Sequence, residues 1–329
     1  MRVGIVGGGI SGLAAAYTLR KEGVESVLFE AEDRLGGRLE SAKFFDSVVD
    51  LGAQTLTPRG LAMESALQEA DGRGELYRIP KPLYLFDQGR AMPGSPERNA
   101  QPRYTFRSGI QSFAESLAQA ADVRLGVKVD KVVKRADGFE VAGEVFDVVI
   151  LTPPLPLTRT ILAASGVPRN LGAFSYRPCL SVALGYDRVL PPPPYYALLS
   201  ANRMSPLIWA TIVNELCPGR VPEGKTVFVA QMGPEHSRTH FGAEEERVAH
   251  GAASCLARVI GAEWSRPDAY LVRRWLYSQP ERVSLFDSLN PPESRVIIAG
   301  DGTLAGRAEN AYETGVRAAA RAAALAAEA

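Results

Sequence analysis

The chain has 329 residues, 46% of them hydrophobic, and its 37 basic and 37 acidic side chains give a formal net charge of zero. That length is sufficient for two domains, at roughly 100–200 residues each. The balanced charge argues against nucleic acid as a partner, because no basic excess is available to track phosphates. Three distant cysteines cannot form a disulfide framework, which predicts a cytoplasmic protein.

The start of the chain predicts a strand, a helix and a second strand. Arg2–Val6 and Val27–Glu30 are short apolar runs, and Ile10–Glu22 repeats apolar residues at helical spacing. No basic leader precedes the first strand, and no apolar stretch reaches the roughly 18 residues of a membrane span. We therefore expect neither a secretory leader nor a membrane segment.

A glycine-rich turn joins the first predicted strand to the helix. Gly7, Gly9 and Gly12 satisfy the pattern G-x-G-x-x-G. The first glycine permits a tight turn, the second lets the backbone approach a pyrophosphate, and the third allows close packing of helix on sheet. Glu30 ends the second strand, where a carboxylate can accept hydrogen bonds from a ribose diol. Together these features predict a dinucleotide-binding unit.

The segment after Glu30 distinguishes among dinucleotides. Gly36-Gly37-Arg38 follows the ribose acid and resembles the extended FAD signature of the flavin amine oxidase superfamily. The glycines can turn the chain beneath the pyrophosphate, and the guanidinium of Arg38 can neutralise it. A surface salt bridge is the alternative role for Arg38. The resemblance implies FAD as the cofactor.

The remaining chain alternates between two kinds of sequence. Val48–Leu51 predicts a strand that ends in the turn Gly52-Ala53-Gln54, and later segments predict a β-meander and a buried strand ending at Thr152. Between them lie segments rich in proline and glycine. We expect a Rossmann-like α/β domain that binds FAD, from residues 1–75, 104–158 and 281–329. An interleaved α+β substrate domain would comprise residues 76–103 and 159–280, giving a fold like p-hydroxybenzoate hydroxylase.

The C-terminal segment completes the resemblance. The strand ending in Gly300-Asp301 looks like the superfamily's distal FAD motif, which implies that Asp301 binds the ribityl hydroxyls. The resemblance further implies that the next helix starts near Ala308, beneath the flavin pyrimidine ring, where its N–H groups would face the charge of reduced flavin. No cysteine occurs in this segment, so FAD should be bound non-covalently. The residues that the motifs and the resemblance imply for FAD binding are Gly7, Gly9, Ile10, Ser11, Gly12, Glu30, Ala31, Gly37, Arg38, Gly52, Ala53, Gln54, Val129 (placed in the meander), Thr152, Gly300, Asp301, Arg307, Ala308 and Ala311.

The substrate domain resembles bacterial renalases in several segments, among them Ser205–Trp209, Pro218–Arg220 and Arg274–Tyr277. The chain departs from that pattern at Gly302, where renalases carry a tryptophan, and at Val229–Gly233. Trp275, Tyr277 and Gln54 are the catalytic candidates, the two aromatics as a flat wall for a planar donor or, alternatively, as core residues of a strand. Arg273 and Arg274 could attract an anionic substrate or lie in solvent.

The resemblance implies a hydride transfer from a small-molecule donor, a dihydronicotinamide dinucleotide, to flavin N5, with O2 as acceptor and hydrogen peroxide as product. One alternative is a flavin amine oxidase acting on a small amine, and another is a non-catalytic FAD-binding redox sensor. An NAD-dependent dehydrogenase is a weaker alternative. The helical spacing of His236 and His240 is that of a zinc pair, but their polar setting predicts a loop and no metal site.

Overall fold

The computed structural model describes residues 1–58, 60–72, 74–119, 121–167 and 169–327. The helices are α1 (Ile10–Lys21), α2 (Leu61–Ala70), α3 (Pro96–Ala100), α4 (Gln111–Leu117), α5 (Leu155–Ala164), α6 (Val213–Leu216), α7 (Pro234–His240), α8 (Glu245–Ile260), α9 (Phe286–Leu289) and α10 (Ala308–Ala327). The strands are β1 (Arg2–Val6), β2 (Glu25–Phe29), β3 (Ser41–Phe44), β4 (Ser47–Asp50), β5 (Leu76–Arg78), β6 (Leu83–Asp87), β7 (Arg90–Pro93), β8 (Tyr104–Phe106), β9 (Asp122–Arg124), β10 (Val133–Arg135), β11 (Gly138–Val141), β12 (Glu144–Phe146), β13 (Val148–Leu151), β14 (Ser175–Tyr186), β15 (Ala197–Ser200), β16 (Leu207–Ile212), β17 (Thr226–Met232), β18 (Ala269–Arg282) and β19 (Val296–Ile298).

A five-stranded parallel sheet has the strand order β19-β13-β1-β2-β9. Its inner strands are apolar on both faces because helices α1, α4 and α10 contribute to the core on one side, and α5 with the three-stranded sheet β10-β11-β12 covers the other. β1 and β19 come from opposite ends of the chain and flank β13. The Rossmann-like architecture expected from the sequence is confirmed.

A seven-stranded mixed sheet has the order β18-β14-β17-β16-β15-β6-β7. Helix α8 packs against one face of this sheet and buries a core that includes Val248, Ala252 and Leu256. β6 and β7 come from the excursion predicted for residues 76–103, and the other strands from the segment predicted for 159–280, except that β18 continues to Arg282. The domain boundaries themselves stay a prediction.

A buried ion pair joins the strand β4 to the segment that follows α6. The Arg220 Nη1 lies 2.6 Å from the Asp50 Oδ2, and both side chains are almost fully buried. The same guanidinium donates to the Thr105 hydroxyl (2.9 Å) and to the Phe106 carbonyl. Asp50 Oδ1 in turn accepts from the Ile110 N–H (2.9 Å). Together these bonds fix the segment that follows α6 to strands β4 and β8.

Two local predictions were wrong. His236 and His240 lie in helix α7, with their rings stacked 4.2 Å apart, because Pro234 occupies a first-turn position where its missing N–H breaks no helical bond. Val129 lies in the irregular segment between β9 and β10, ahead of the meander, and β9 joins the parallel sheet.

The described residues contain neither a cluster suited to a metal ion nor a helix suited to a membrane span. No helix in these ranges is both long and apolar enough to cross a membrane. Nor do three or more His, Cys, Asp or Glu side chains in these ranges gather as a metal ion would require.

Candidate cofactor and substrate site

The turn between β1 and α1 is shaped by its three glycines. Gly7 has a φ of +102°, and a Cβ there would lie 2.6 Å from the Thr152 hydroxyl oxygen. A Cβ at Gly12 would lie 2.0 Å from the Gly7 carbonyl oxygen. A Cβ at Gly9 would meet no atom within 4 Å, so open space lies beside the start of α1. This space and the free N–H groups of the first helical turn fit a dinucleotide pyrophosphate.

The first turn of α1 is fixed from behind by α10. Ile10 and Ser11 are buried, and the Ser11 hydroxyl lies 3.5 Å from that of Thr314. A Cβ at Gly315 would lie 2.1 Å from the Ser11 carbonyl oxygen, so the two helices approach at their backbones. The C-terminal helix therefore supports the turn that fits the cofactor phosphates.

Glu30 follows β2 and turns back across the glycine turn. Its carboxylate accepts hydrogen bonds from the N–H groups of Gly8 (2.6 Å) and Glu32 (2.8 Å). Ala31, which lies between Glu30 and Glu32 in the sequence, is exposed. Because each carboxylate oxygen retains a lone pair, the group can also accept from a ribose hydroxyl. The placement fits the role expected for Glu30, which stays a prediction.

The second glycine pair packs on the first turn. The Gly36 N–H donates to the Gly8 carbonyl (2.9 Å), and a Cβ at Gly37 would lie 3.4 Å from the Gly9 Cα. Gly37 has a φ of +53°, in the left-handed region that favours glycine. Arg38 directly follows this contact in the sequence.

Arg38 and Asp301 form a two-pronged ion pair. The Nη1–Oδ2 distance is 2.6 Å and the Nη2–Oδ1 distance is 2.9 Å. Nη1 also donates to the carbonyls of Ser278 (2.8 Å) and Tyr277 (3.2 Å) on β18. Burial opposes the charge of Arg38, but the Asp301 carboxylate outweighs it and the pKa of Arg38 is raised. The two groups expected to bind different parts of FAD thus contact each other.

The distal segment has the geometry expected from the sequence. Gly300 follows β19 with a φ of +119°, and its N–H donates to the Thr314 hydroxyl (3.0 Å). Helix α10 begins at Ala308, and the Ala311 N–H makes an early helical bond to the Arg307 carbonyl (3.1 Å). The N–H groups of the first turn have no partner inside the helix. They are available to a group that gathers negative charge.

The segment Leu51–Gln54, called here the Gly52 turn, is held by the seven-stranded sheet. The Gln231 amide donates to the Gly52 carbonyl (2.7 Å), and the Trp275 indole N–H donates to the Leu51 carbonyl (2.9 Å). The Ala53 N–H donates to the Arg38 carbonyl (2.9 Å). The turn expected near the flavin thus contacts both Arg38 and the substrate-domain strands.

Gln54 is buried in a polar cluster that was not anticipated. Its Oε1 accepts from the Trp209 indole N–H (2.9 Å) and from the Thr211 hydroxyl. Trp209 and Thr211 lie two residues apart on β16 and so share one face of the sheet. That spacing was the available signal for finding them. The cluster fixes Gln54 within the Gly52 turn.

Tyr176 occupies the space beside Gly302. A Cβ at Gly302 would lie 2.3 Å from the Tyr176 hydroxyl oxygen and 2.9 Å from the Leu155 Cγ. The same hydroxyl donates to Asp301 Oδ1 (3.3 Å), and burial raises the pKa of Tyr176 well above its ordinary value. An aromatic ring from β14 is therefore present where the sequence lacks the renalase tryptophan. Sequence reasoning did not single out Tyr176.

Trp275 and Tyr277 are half-buried on one face of β18. The Arg273 guanidinium lies over the Trp275 ring (4.5 Å), and its Nε lies 2.8 Å from the Glu40 carboxylate. The Tyr277 ring meets that of Tyr176 edge to face, with centroids 5.9 Å apart. The aromatic wall is thus placed beside the Arg38–Asp301 pair.

Three remaining candidates have defined surroundings. Arg274 pairs with Glu245 (2.9 Å) and donates to two backbone carbonyls, so Arg273 and Arg274 both have protein partners. The Thr152 hydroxyl donates to the Val6 carbonyl (2.8 Å), beside the glycine turn. Val129 is buried, and its core contacts include residues of the β10-β11-β12 sheet.

Comparisons with known proteins agree with this geometry. A family model described as flavin containing amine oxidoreductase matches residues 74–323, and one described as an NAD(P)-binding Rossmann-like domain matches residues 5–70. A putrescine oxidase triple mutant superposes with a TM-score of 0.75 at 16% identity, covering 100% of this chain and 99% of that one. At that identity the likeness establishes the fold alone.

Curated relatives match over shorter segments. Protoporphyrinogen oxidase 2 of Arabidopsis thaliana is 48% identical over 91 residues, which are 27% of this chain and 18% of that protein. Coproporphyrinogen III oxidase of Mycobacterium bovis is 32% identical over 145 residues, 43% of this chain and 30% of that protein. The matched segments thus span less than a third of either relative. With the family match extending over most of its length, the chain belongs to the flavin-containing amine oxidoreductases, a family of FAD-dependent oxidoreductases.

Proposed function

We propose that this protein is a renalase-like oxidase. It takes a hydride from a dihydronicotinamide dinucleotide and passes the electrons to O2, releasing hydrogen peroxide. FAD, when bound without a covalent link, supplies the hydride acceptor at N5. The sequence resemblance to renalases motivates the donor, and the character of the Gly52 turn supports it.

The observation that carries the proposal is that the side chains by which the seven-stranded sheet holds the Gly52 turn are uncharged. Four described side chains of the seven-stranded sheet hydrogen-bond to it or to its Gln54, and none carries a carboxylate: Trp209, Thr211, Gln231 and Trp275. A buried ammonium group needs a paired anion. A neutral, planar dihydronicotinamide needs only flat apolar surfaces and amide hydrogen bonds.

Side chains of this protein would position the donor for hydride transfer. Trp275 and Tyr277 would present the flat wall against which a planar donor ring lies, with Tyr176 supporting the second ring from its edge. Gln54, held by Trp209, would orient the donor through its amide. No general base is required, since a hydride leaves a dihydronicotinamide without proton abstraction.

The test is anaerobic reduction of the FAD-loaded protein by a panel of donors. We expect dihydronicotinamide dinucleotide isomers to bleach the flavin absorbance, and small amines such as putrescine to leave it unchanged. Admission of oxygen should then restore the absorbance and release peroxide in proportion to the donor oxidised. Bleaching by amines alone would establish an amine oxidase. A flavin that no donor bleaches would support the redox-sensor alternative.

A further inference from the structure

A pocket of about 430 Å³ opens beside the end of β5, a size within the range of small-molecule sites. It is lined by Arg78, Ile79, Pro80, Lys81, Pro82, Asn99, Ala100, Gln101, Pro102 and Arg103. Three of these residues are cationic, and no carboxylate is among them. We call it the Arg78–Arg103 pocket.

Two of its positive charges have no carboxylate partner. The Lys81 ammonium is neutralised by Glu215 and also donates to the Pro193 carbonyl. Arg103 donates to uncharged oxygens, the Arg98 carbonyl (2.7 Å) and the Asn99 amide (3.5 Å). Arg78 is exposed, and neither arginine forms an ion pair with another described residue. Two guanidinium groups around one cavity favour a phosphate or a carboxylate.

Tyr196 and Trp209 pack between this pocket and the Gly52 turn. Tyr196 is fully buried, its N–H donates to the carbonyl of the pocket residue Pro82 (3.2 Å), and its hydroxyl makes no hydrogen bond with a described residue. Burial raises the pKa of Tyr196 to about 12, and the positive charge of Arg103 opposes that rise. The Tyr196 ring meets that of Trp209 edge to face at 6.4 Å, and Trp209 donates to Gln54.

We propose that the Arg78–Arg103 pocket is the anion subsite for the substrate. It would hold a phosphate group of the donor while the reducing ring lies at the Gly52 turn. The inference rests on the proposed function and deepens it, because it assigns the donor a negative charge. Polyamines, which are cations, would be repelled at the same place.

The test uses the FAD-loaded full chain and inorganic pyrophosphate as the probe. Calorimetric titration should detect pyrophosphate binding to the unaltered protein. Arg78→Gln and Arg103→Gln should each weaken it about tenfold, the loss of one charge-assisted contact, and the double variant should weaken it further. Arg266→Gln removes an exposed guanidinium outside the pocket and should leave the affinity unchanged. Citrate in place of pyrophosphate distinguishes a carboxylate subsite from a phosphate one.

Steady-state kinetics provide the second readout. With an oxidisable dinucleotide donor, both variants should raise KM and leave kcat unchanged, since neither arginine is placed at the reacting ring. Pyrophosphate that fails to bind the unaltered protein, or binds the double variant equally well, would overturn the subsite. If pyrophosphate binds as expected and no donor bleaches the flavin, the pocket stands and the proposed function fails. If donors bleach the flavin and KM does not change, the pocket alone fails.

Discussion

Arg38 and Asp301 lie 263 residues apart in the sequence and face each other across two hydrogen bonds of 2.6 and 2.9 Å. Arg38 ends the second glycine segment of the cofactor site, and Asp301 follows the last strand of the parallel sheet. Through Nη1, Arg38 also contacts two carbonyls of β18 in the other sheet. One guanidinium thus connects both ends of the parallel-sheet region with the seven-stranded sheet.

Removal of Arg38 should therefore affect both cofactor and stability. Arg38→Ala leaves the buried Asp301 carboxylate without its partner, and we expect the free energy of unfolding of the apoprotein to fall by about 2 kcal/mol. This is less than for a fully buried pair because Arg38 keeps contact with solvent. FAD affinity, measured by fluorescence titration, should fall as well. In Arg38→Lys the charge is kept and the two-pronged geometry lost, so intermediate values are expected. Full FAD retention by Arg38→Ala after dialysis would contradict this placement.

Glu30→Ala should weaken FAD binding by at least about tenfold, because the ribose diol loses its acceptor and the turn loses two backbone hydrogen bonds. The measurement is flavin absorbance per protein after extensive dialysis. Glu64→Ala, at an exposed position of α2, is the matched control and should retain full flavin. Equal flavin occupancy in Glu30→Ala and Glu64→Ala would show that Glu30 does not contribute to FAD binding.

The Asp50–Arg220 pair should be the costliest to break. Asp50→Asn leaves the buried Arg220 guanidinium uncompensated, and we expect a loss of about 3–5 kcal/mol in the free energy of unfolding, measured with urea. Asp46→Asn breaks the solvent-exposed pair with Lys225 and should have no measurable effect. Similar urea midpoints for the two variants would show that the buried pair contributes no more to the free energy of unfolding than the exposed pair.

The fit between Tyr176 and Gly302 can be measured by a double-mutant cycle. Gly302→Ala should destabilise the protein by about 1–3 kcal/mol, because the new methyl group overlaps the Tyr176 hydroxyl. In a Tyr176→Phe background the hydroxyl is absent, so the same substitution should cost less. Strict additivity of the two changes would mean that the residues do not compete for space.

The stacked histidines predict a pH dependence. Burial lowers the pKa of His236, and the nearby His240 adds to the shift. The unfolded chain therefore binds a proton more readily than the folded one, so this contribution to stability is present above the ordinary histidine pKa of about 6.5 and is lost as pH falls below it. His236→Gln should reduce the fall in unfolding free energy between about pH 7.5 and about pH 5.5. His250→Gln, on the exposed side of α8, should leave the fall unchanged.

Sequence patterns predicted the parts of the site that depend on neighbouring residues. The glycine turn and the carboxylate after β2 follow from local backbone requirements, the helix start at Ala308 follows from the family resemblance, and the structure has each of them. Such local patterns do not predict contacts between segments that are distant in the sequence. The pairing of Arg38 with Asp301 and the position of Tyr176 against Gly302 depend on how two sheets pack, which no local periodicity encodes. The polar sequence around His236 favours a loop because Gly233 and Pro234 precede it, but proline is compatible with a first helical turn and α7 begins at Pro234.

The position of β19 in the parallel sheet affects the order of events during synthesis. β1 and β2 leave the ribosome first, but β19 pairs with β13 only after residues 296–298 have been made. Asp301 and α10, which supports the glycine turn from behind, come later still. The predicted cofactor site therefore cannot assemble fully until the strands of the seven-stranded sheet have already emerged. We expect only a nearly finished chain to bind FAD, and translation that stops before β19 should yield a product unable to retain flavin.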